Sequence, residues 1–230
     1  MAELYLSRLV LDPRSGLVRM ALADVALLHR HVMSGFPDDV GVAPRAQHAV
    51  LWRLDSVDDR LDLLVQSSVR PDWSRVDQLL SATPEVRAAG EILSSLVPGT
   101  VLRFRLVANP TRKIDTKTGS DGIRRNGRRV PLRDEVALLE WLVRKAAASG
   151  FTVGADPVAA AASVVVNRLG DSHGRRREDQ TGGRADLVFG GVQFDGRLTV
   201  TDPTTFCDAV ATGFGPGKAF GYGLLTVARA

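Results

Sequence analysis

Four histidines, His29, His31, His48 and His173, are the side chains of this 230-residue chain best suited to moving a proton near neutral pH. His29 lies beside Val25, Val32 and Met33 at i−4, i+3 and i+4, so it emerges at the edge of an apolar helical stripe, where a ring is partly desolvated. His31 points away from that edge. A lone histidine on a helix is as a rule structural, and spacing alone does not lift His29 out of that class. The single cysteine, Cys207, cannot form an internal disulfide, and no grouping of Cys and His has zinc-ligand spacing. No metal or other cofactor is expected, and the reducing cytoplasm fits best. The first eleven residues are interrupted by Glu3 and Arg8, which excludes a signal peptide or membrane span there.

The second chemical feature lies near the end of the chain. Gly213, Gly215, Gly217, Gly221 and Gly223 fall within eleven residues that also hold Pro216 and Lys218. Glycines at this density let backbone N–H groups approach a ligand closely, and phosphate is the obvious ligand for N–H groups and a lysine together. A nucleotide-binding P-loop needs Gly where Thr212 stands and Ser or Thr where Ala219 stands, and it must open a helix. Here Leu224 to Val227 reads as a short closing strand, so a nucleotide cofactor is not expected. A tight turn without ligand is the bland alternative.

Charge supplies the third feature. Between Arg103 and Arg133 stand ten Lys or Arg against Asp115 and Asp121, a window of +8 in a chain of net +4. The remainder is therefore −4, and such asymmetry marks a polyanion-binding face. Within it, Arg103, Arg105, Arg112, Lys113, Arg124, Arg125, Arg128 and Arg129 are expected to contact nucleic acid, together with Gly215, Gly217 and Lys218 of the glycine loop. Thr111 to Val130 reads as a basic hairpin or arm. Gly170 to Arg184 reads as a second polar insertion, carrying Arg175, Arg176 and Arg177. Arginines on arms suit RNA, because a guanidinium can clasp phosphates, stack on bases and bond guanine edges. A solvated loop is the alternative for each.

These features need a scaffold. A strand over Leu4 to Leu11 ends at Asp12-Pro13, and a helix capped by Asp24 carries Val25, Leu28 and Val32 inward. Strands over Ala49 to Leu54 and Leu61 to Gln66 and a helix from near Asp72 follow. This is most of a ferredoxin-like split βαβ unit. The second half repeats the order: a strand at Val101 to Val107, a helix at Asp134 to Ala148, strands at Ser163 to Val166 and Leu187 to Leu198, a helix at Thr204 to Ala211 and the closing strand. The expected fold class is α+β, two tandem ferredoxin-like (RRM-like) α/β sandwich domains over residues 1–88 and 99–230.

Ordered along the chain are Tyr5-Leu6-Ser7, His29 with Phe36-Pro37 downstream, Leu51-Trp52-Arg53-Leu54, Pro71-Asp72-Trp73-Ser74, and Phe104-Arg105-Leu106 with Ala108-Asn109-Pro110. Phe194-Asp195-Gly196, Asp202-Pro203 and the loop from Gly213 to Leu225 complete the series. In this order, nearly end to end, the chain resembles the CasE family of RAMP-like proteins, the CRISPR repeat-processing endoribonucleases of type I-E systems.

The resemblance implies two ferredoxin-like domains and binding of a CRISPR repeat stem-loop. It implies a single metal-independent cut at the hairpin base, by attack of a 2′-hydroxyl on the adjacent phosphate. The ends left are a 2′,3′-cyclic phosphate and a 5′-hydroxyl. It also implies retention of the product within the Cascade complex, so the expected partners are repeat RNA and other Cascade subunits. His29 matches the family's catalytic histidine. Arg175, Arg176 and Arg177 fall in the region that supplies its phosphate-stabilising cation, and Arg124, Arg125, Arg128 and Arg129 in its groove-reading hairpin. One departure stands out: the family carries a tyrosine three residues before the histidine, and this chain has Ala26. Loss of that hydroxyl leaves open a catalytically impaired, hairpin-binding subunit.

Overall fold

The computed structural model describes residues 3–37, 43–114, 128–175 and 186–230. In chain order, β1 (Tyr5–Leu11), α1 (Gly16–Ala23), α2 (Val25–Met33), α3 (Pro44–Gln47), β2 (Leu51–Val57), β3 (Arg60–Ser67), β4 (Glu85–Ala88) and α4 (Gly90–Ser94) make the first part. The second runs β5 (Val101–Ala108), β6 (Thr111–Ile114), β7 (Arg128–Pro131), α5 (Glu135–Ala147), β8 (Phe151–Thr152), α6 (Pro157–Ala161), β9 (Val164–Arg175), β10 (Asp186–Val200), α7 (Pro203–Thr212) and β11 (Leu225–Arg229).

The first sheet has the order β2-β3-β1-β4, entirely antiparallel. The second runs β11-β5-β10, and β10 then pairs with β9 along most of its length and with β8 at its end. Both follow the ferredoxin-like order, so the chain is α+β with two such units in tandem. One face of each sheet is apolar. Leu9, Leu11, Trp52, Leu63 and Val65 meet Leu28 and Val32 of α2 and Val76 and Leu79 of a 3-10 turn. Leu102, Phe104, Phe194 and Leu198 meet Leu138 and Leu142 of α5 and Phe206 and Val210 of α7.

Arg53 links the two sheets to each other. Arg53 is 2% exposed, pairs with both oxygens of Asp55 at 2.8 and 2.9 Å, and donates to the Arg105 carbonyl at 3.2 Å and to Thr226 Oγ1 at 3.1 Å. A guanidinium has enough donors in one plane to serve both sheets at once.

Four features differ from the sequence expectation. α1 precedes the Asp24 cap, with Leu17, Met20 and Leu22 partly exposed, so its inward stripe of Val18 and Ala21 is narrow. The helix expected after Asp72 is a 3-10 turn, Trp73–Leu79, started by Asp72 accepting from the Ser74 N–H at 3.0 Å. β4 closes the first sheet with a short, mostly exposed Glu-Val-Arg-Ala sequence, of which only Val86 packs partly buried against the core. The insertion at Gly170 is in its first part an extension of β9, paired with β10 as far as Arg175 opposite Asp186.

Candidate active site and nucleic-acid interface

α2 places His29. Asp24 has an extended backbone between α1 and α2, and its carboxylate accepts from the Ala26 N–H at 3.0 Å, fixing the first turn of α2. Leu28 and Val32 are buried, and the next residue around the helix, His29, is left half-buried at the rim. Its Nδ1 is buried without a partner among the described residues. Burial first, then the charges of Arg45 and Arg30, push its pKa from 6.5 down to about 4.

Against α2 lies the glycine loop. Gly213, Gly215, Gly217, Gly221 and Gly223 all have φ between 74° and 91°, a region L side chains avoid. The loop is also packed tightly: a Cβ at Gly213 would lie 2.7 Å from the Leu51 side chain, and one at Gly221 2.7 Å from the Trp52 ring. The Gly213 N–H donates to Ala209 O at 2.8 Å and the Gly223 N–H to Val107 O at 2.7 Å, so these two are used within the fold. Between them the turn Lys218–Phe220 faces α2 and sets the Phe220 ring 6.5 Å from the His29 ring. Phe220 continues into Phe189 at 4.7 Å and thence Tyr222 at 5.7 Å. The Tyr222 hydroxyl is hydrogen-bonded to Ser172 of β9, and burial pushes its pKa up. Val25, Leu28, Trp52, Gly170, Ser172 and Phe220 line a shared cavity of about 180 Å³.

Lys218 is half-buried, and its pKa is lowered by burial, then by the charges of Arg45 and Lys145. Arg45, on α3, is the residue that sequence reasoning missed. It is half-buried, its Nη1 donates to the Val50 carbonyl at 3.1 Å, and burial lowers its pKa. Among the described residues neither Arg45 nor Lys218 has a carboxylate partner. No pattern in Pro44–Gln47 marks Arg45, because its charge reaches His29 and Lys218 only once the fold brings these distant segments together.

The other expected residues are spread over the surface. Arg112 and Lys113 of β6 are exposed and paired with Val130 and Arg129 of β7 in a separate two-stranded ribbon. The ribbon joins the second sheet where Pro131 meets Gly190, beside Arg133 and Arg168. Arg103 and Arg105 instead line a cleft of about 930 Å³ on the open face of the second sheet, which does not include His29. Arg105 is bound to Asp195 at 2.6 Å and Arg103 donates to the Arg229 carbonyl at 3.2 Å. Gly215 sits against Trp141 and Gly217 against Tyr222. Arg128 and Arg175 are placed by backbone pairing with Ile114 and Asp186. Arg124, Arg125, Arg176 and Arg177 lie outside the described residues.

His31 is half-buried on α2, with its pKa lowered by burial and then by Arg30. His48 is buried and stacked 6.0 Å from Phe36, and His173 is exposed on β9. Among the described residues no three His, Cys, Asp or Glu side chains cluster as a metal site would require, and no helix is long and apolar enough to cross a membrane.

The profile of a family described as CRISPR associated protein matches residues 4–229. The chain belongs to that family. It is 31% identical over 229 residues to the CRISPR-associated endoribonuclease Cse3 of Thermus thermophilus, covering 98% of this chain and 100% of the relative. It is 28% identical to the Escherichia coli CRISPR system Cascade subunit CasE, covering 98% and 99% of the two chains. The fold superposes, with a TM-score of 0.73 and 30% identity, on Thermus thermophilus Cse3 bound to an RNA representing a pre-cleavage complex, covering 99% of this chain and 100% of that one.

Proposed function

We propose that the chain is an endoribonuclease that binds CRISPR repeat hairpins, cuts them once at the hairpin base and stays on the product as a subunit of Cascade. The observation that carries this reading is the meeting of α2 and the glycine loop, which puts His29 beside the Lys218–Phe220 turn in a chain that belongs to the CRISPR-associated family. It acts in the cytoplasm, where Cys207 stays a thiol.

The reaction assigned to this site is transesterification. His29 takes the proton of a 2′-hydroxyl, the 2′-oxygen forms a bond to the adjacent phosphorus, and the bond from phosphorus to the 5′-oxygen breaks as that oxygen takes up a proton. The ends are a 2′,3′-cyclic phosphate and a 5′-hydroxyl, and the charge gathering on phosphorus calls for cations beside it. Metal ions are not required for any of these steps.

The electrostatics of His29 suit such proton transfer. In the free protein its ring is neutral at pH 7, ready to accept a proton, but with its pKa held near 4 it is a weak base. Burial is the larger cause of that depression; a phosphate beside Arg45 and Arg30 offsets the smaller one, their repulsion. Substrate therefore raises the basicity of the group that attacks it.

The exposed ribbon has its place in the same reading, with Arg112, Lys113 and Arg129, together with Arg124, Arg125 and Arg128, holding the RNA stem. The test is to incubate the protein with an end-labelled repeat hairpin from its own genome in EDTA and to analyse the ends. One product with a 2′,3′-cyclic phosphate that opens under acid is expected. Tight binding with intact RNA would establish the impaired, structural subunit instead.

A further inference from the structure

Arg45 and Lys218 come from segments far apart in the chain, yet the segments that carry them rest on three consecutive residues, Val50, Leu51 and Trp52. The Arg45 guanidinium is tied to the Val50 carbonyl at 3.1 Å, and the Val50 N–H donates back to the Arg45 carbonyl at 2.8 Å. The glycine loop rests on the next two residues, with Gly213 against Leu51 and Gly221 against Trp52. The first residue of its central turn is Lys218 and the last, Phe220, touches the His29 side of α2. One arginine and one lysine, each half-buried and without a carboxylate partner among the described residues, thus lie where the arginine's charge reaches both the lysine and His29, with the lysine on the turn that meets α2.

Half-buried cations near each other repel, and proteins ordinarily place a carboxylate between them. Burial makes both groups less ready to hold their charge, and the positive charges of Arg45 and of Lys145 on α5 add to that effect at Lys218. An anion from outside the chain removes the conflict.

We infer that Arg45 and Lys218 form a two-pronged clamp for the scissile phosphate of the RNA, with Arg45 the cation that stabilises the negative charge on phosphorus during cleavage. Arg45 keeps one nitrogen on Val50 and turns the remaining guanidinium donors to the phosphate, a geometry a lysine at that position cannot copy. Lys218 holds the other side as a point charge. The clamp assigns to described residues of α3 and the glycine loop the role that the resemblance places at Arg175, Arg176 and Arg177. This inference rests on the nuclease reading.

The experiment compares wild type, Arg45→Ala, Arg45→Lys and Lys218→Ala in two arms: single-turnover cleavage of the repeat hairpin, and salt-dependent binding of the same hairpin with a 2′-deoxy residue at the cut. Arg45→Ala is expected to slow cleavage about 100-fold, as loss of one donor to a reacting oxyanion does. Arg45→Lys should recover only a part of the rate, and millimolar guanidinium should accelerate Arg45→Ala but not wild type. In the binding arm, Arg45→Ala and Lys218→Ala should each lower the salt slope by about one. Guanidinium rescue separates lost chemistry from a misfolded α3, and Lys218→Ala does not disturb the Val50 anchor. Wild-type cleavage and slope in Arg45→Ala would overturn the clamp while leaving the nuclease intact, as would slowed cleavage without rescue alongside a normal slope in Lys218→Ala. A wild type that binds without cutting would overturn the nuclease reading, and the slopes alone would then decide the clamp.

Discussion

The rings of His29 and Phe220 stand 6.5 Å apart, one on the second helix and the other in a turn near the end of the chain. That pairing sets the turn that begins at Lys218 against the second helix, and the glycines on both flanks of the turn, Gly217 and Gly221, have φ of 87° and 86° and pack against Tyr222 and Trp52.

The first prediction concerns proton binding. The unfolded chain takes up a proton at His29 near the ordinary 6.5, whereas the folded site resists until about 4. Between these values the unfolded state binds more protons, so stability is present above 6.5 and is lost as pH falls towards 4. His31, also lowered, acts in the same direction. Denaturant unfolding on either side of that window should show a smaller pH dependence for His29→Ala than for wild type. In a histidine NMR titration the His29 pKa should rise when the 2′-deoxy hairpin is bound; a value unchanged by RNA would separate His29 from the phosphate.

Loop geometry makes a second, comparative prediction. Gly99 has φ of 89° with open space around it, whereas Gly221 has φ of 86° and a Cβ there would meet the Trp52 ring at 2.7 Å. Gly99→Ala should cost about 1–2 kcal/mol from backbone strain alone and leave cleavage unchanged. Gly221→Ala should cost more and slow cleavage by displacing Lys218 and Phe220. Equal effects in thermal melts and cleavage rates would show that the Trp52 packing does not set the site.

Arg53 provides the third. Truncation to alanine leaves Asp55, 9% exposed, without its bidentate partner and releases the bonds to Arg105 and Thr226. Breaking a buried pair in this way costs about 3–5 kcal/mol. Chemical denaturation should register that loss, with the two sheets no longer unfolding together; a loss near zero would show that the sheets do not depend on this residue.

How much of this was legible in the sequence follows from where each signal resides. Asp24 and the stripe of Leu28 and Val32 announce α2 locally, so the rim position of His29 could be read directly. The glycine loop could be read as permissive backbone, but the reasons for its glycines, Leu51, Trp52 and Trp141, are distant in the chain and meet it only after folding. Arg45 carries no local signal at all. β4 and the outer half of β9 were hidden because one is only four residues long, with a single half-buried valine, and the other is a polar sequence held to β10 by backbone pairing.

The basic ribbon supplies the fourth prediction. Arg112, Lys113 and Arg129 are exposed on the paired strands β6 and β7. Replacing the three with alanine should weaken hairpin binding and reduce its salt slope by about one for each phosphate no longer neutralised, while the cleavage rate of saturated complex stays at the wild-type value. An unchanged slope would remove the ribbon from the RNA interface.

The central claim, that His29 moves the proton of the attacking 2′-hydroxyl, is tested most directly by one cleavage gel. Wild type and His29→Ala are each incubated in EDTA with the repeat hairpin and with its 2′-deoxy counterpart. A single cut is expected only where wild type meets the unmodified RNA, with equal binding in all four combinations. Cutting of the 2′-deoxy RNA, or undiminished cutting by His29→Ala, would contradict the assignment.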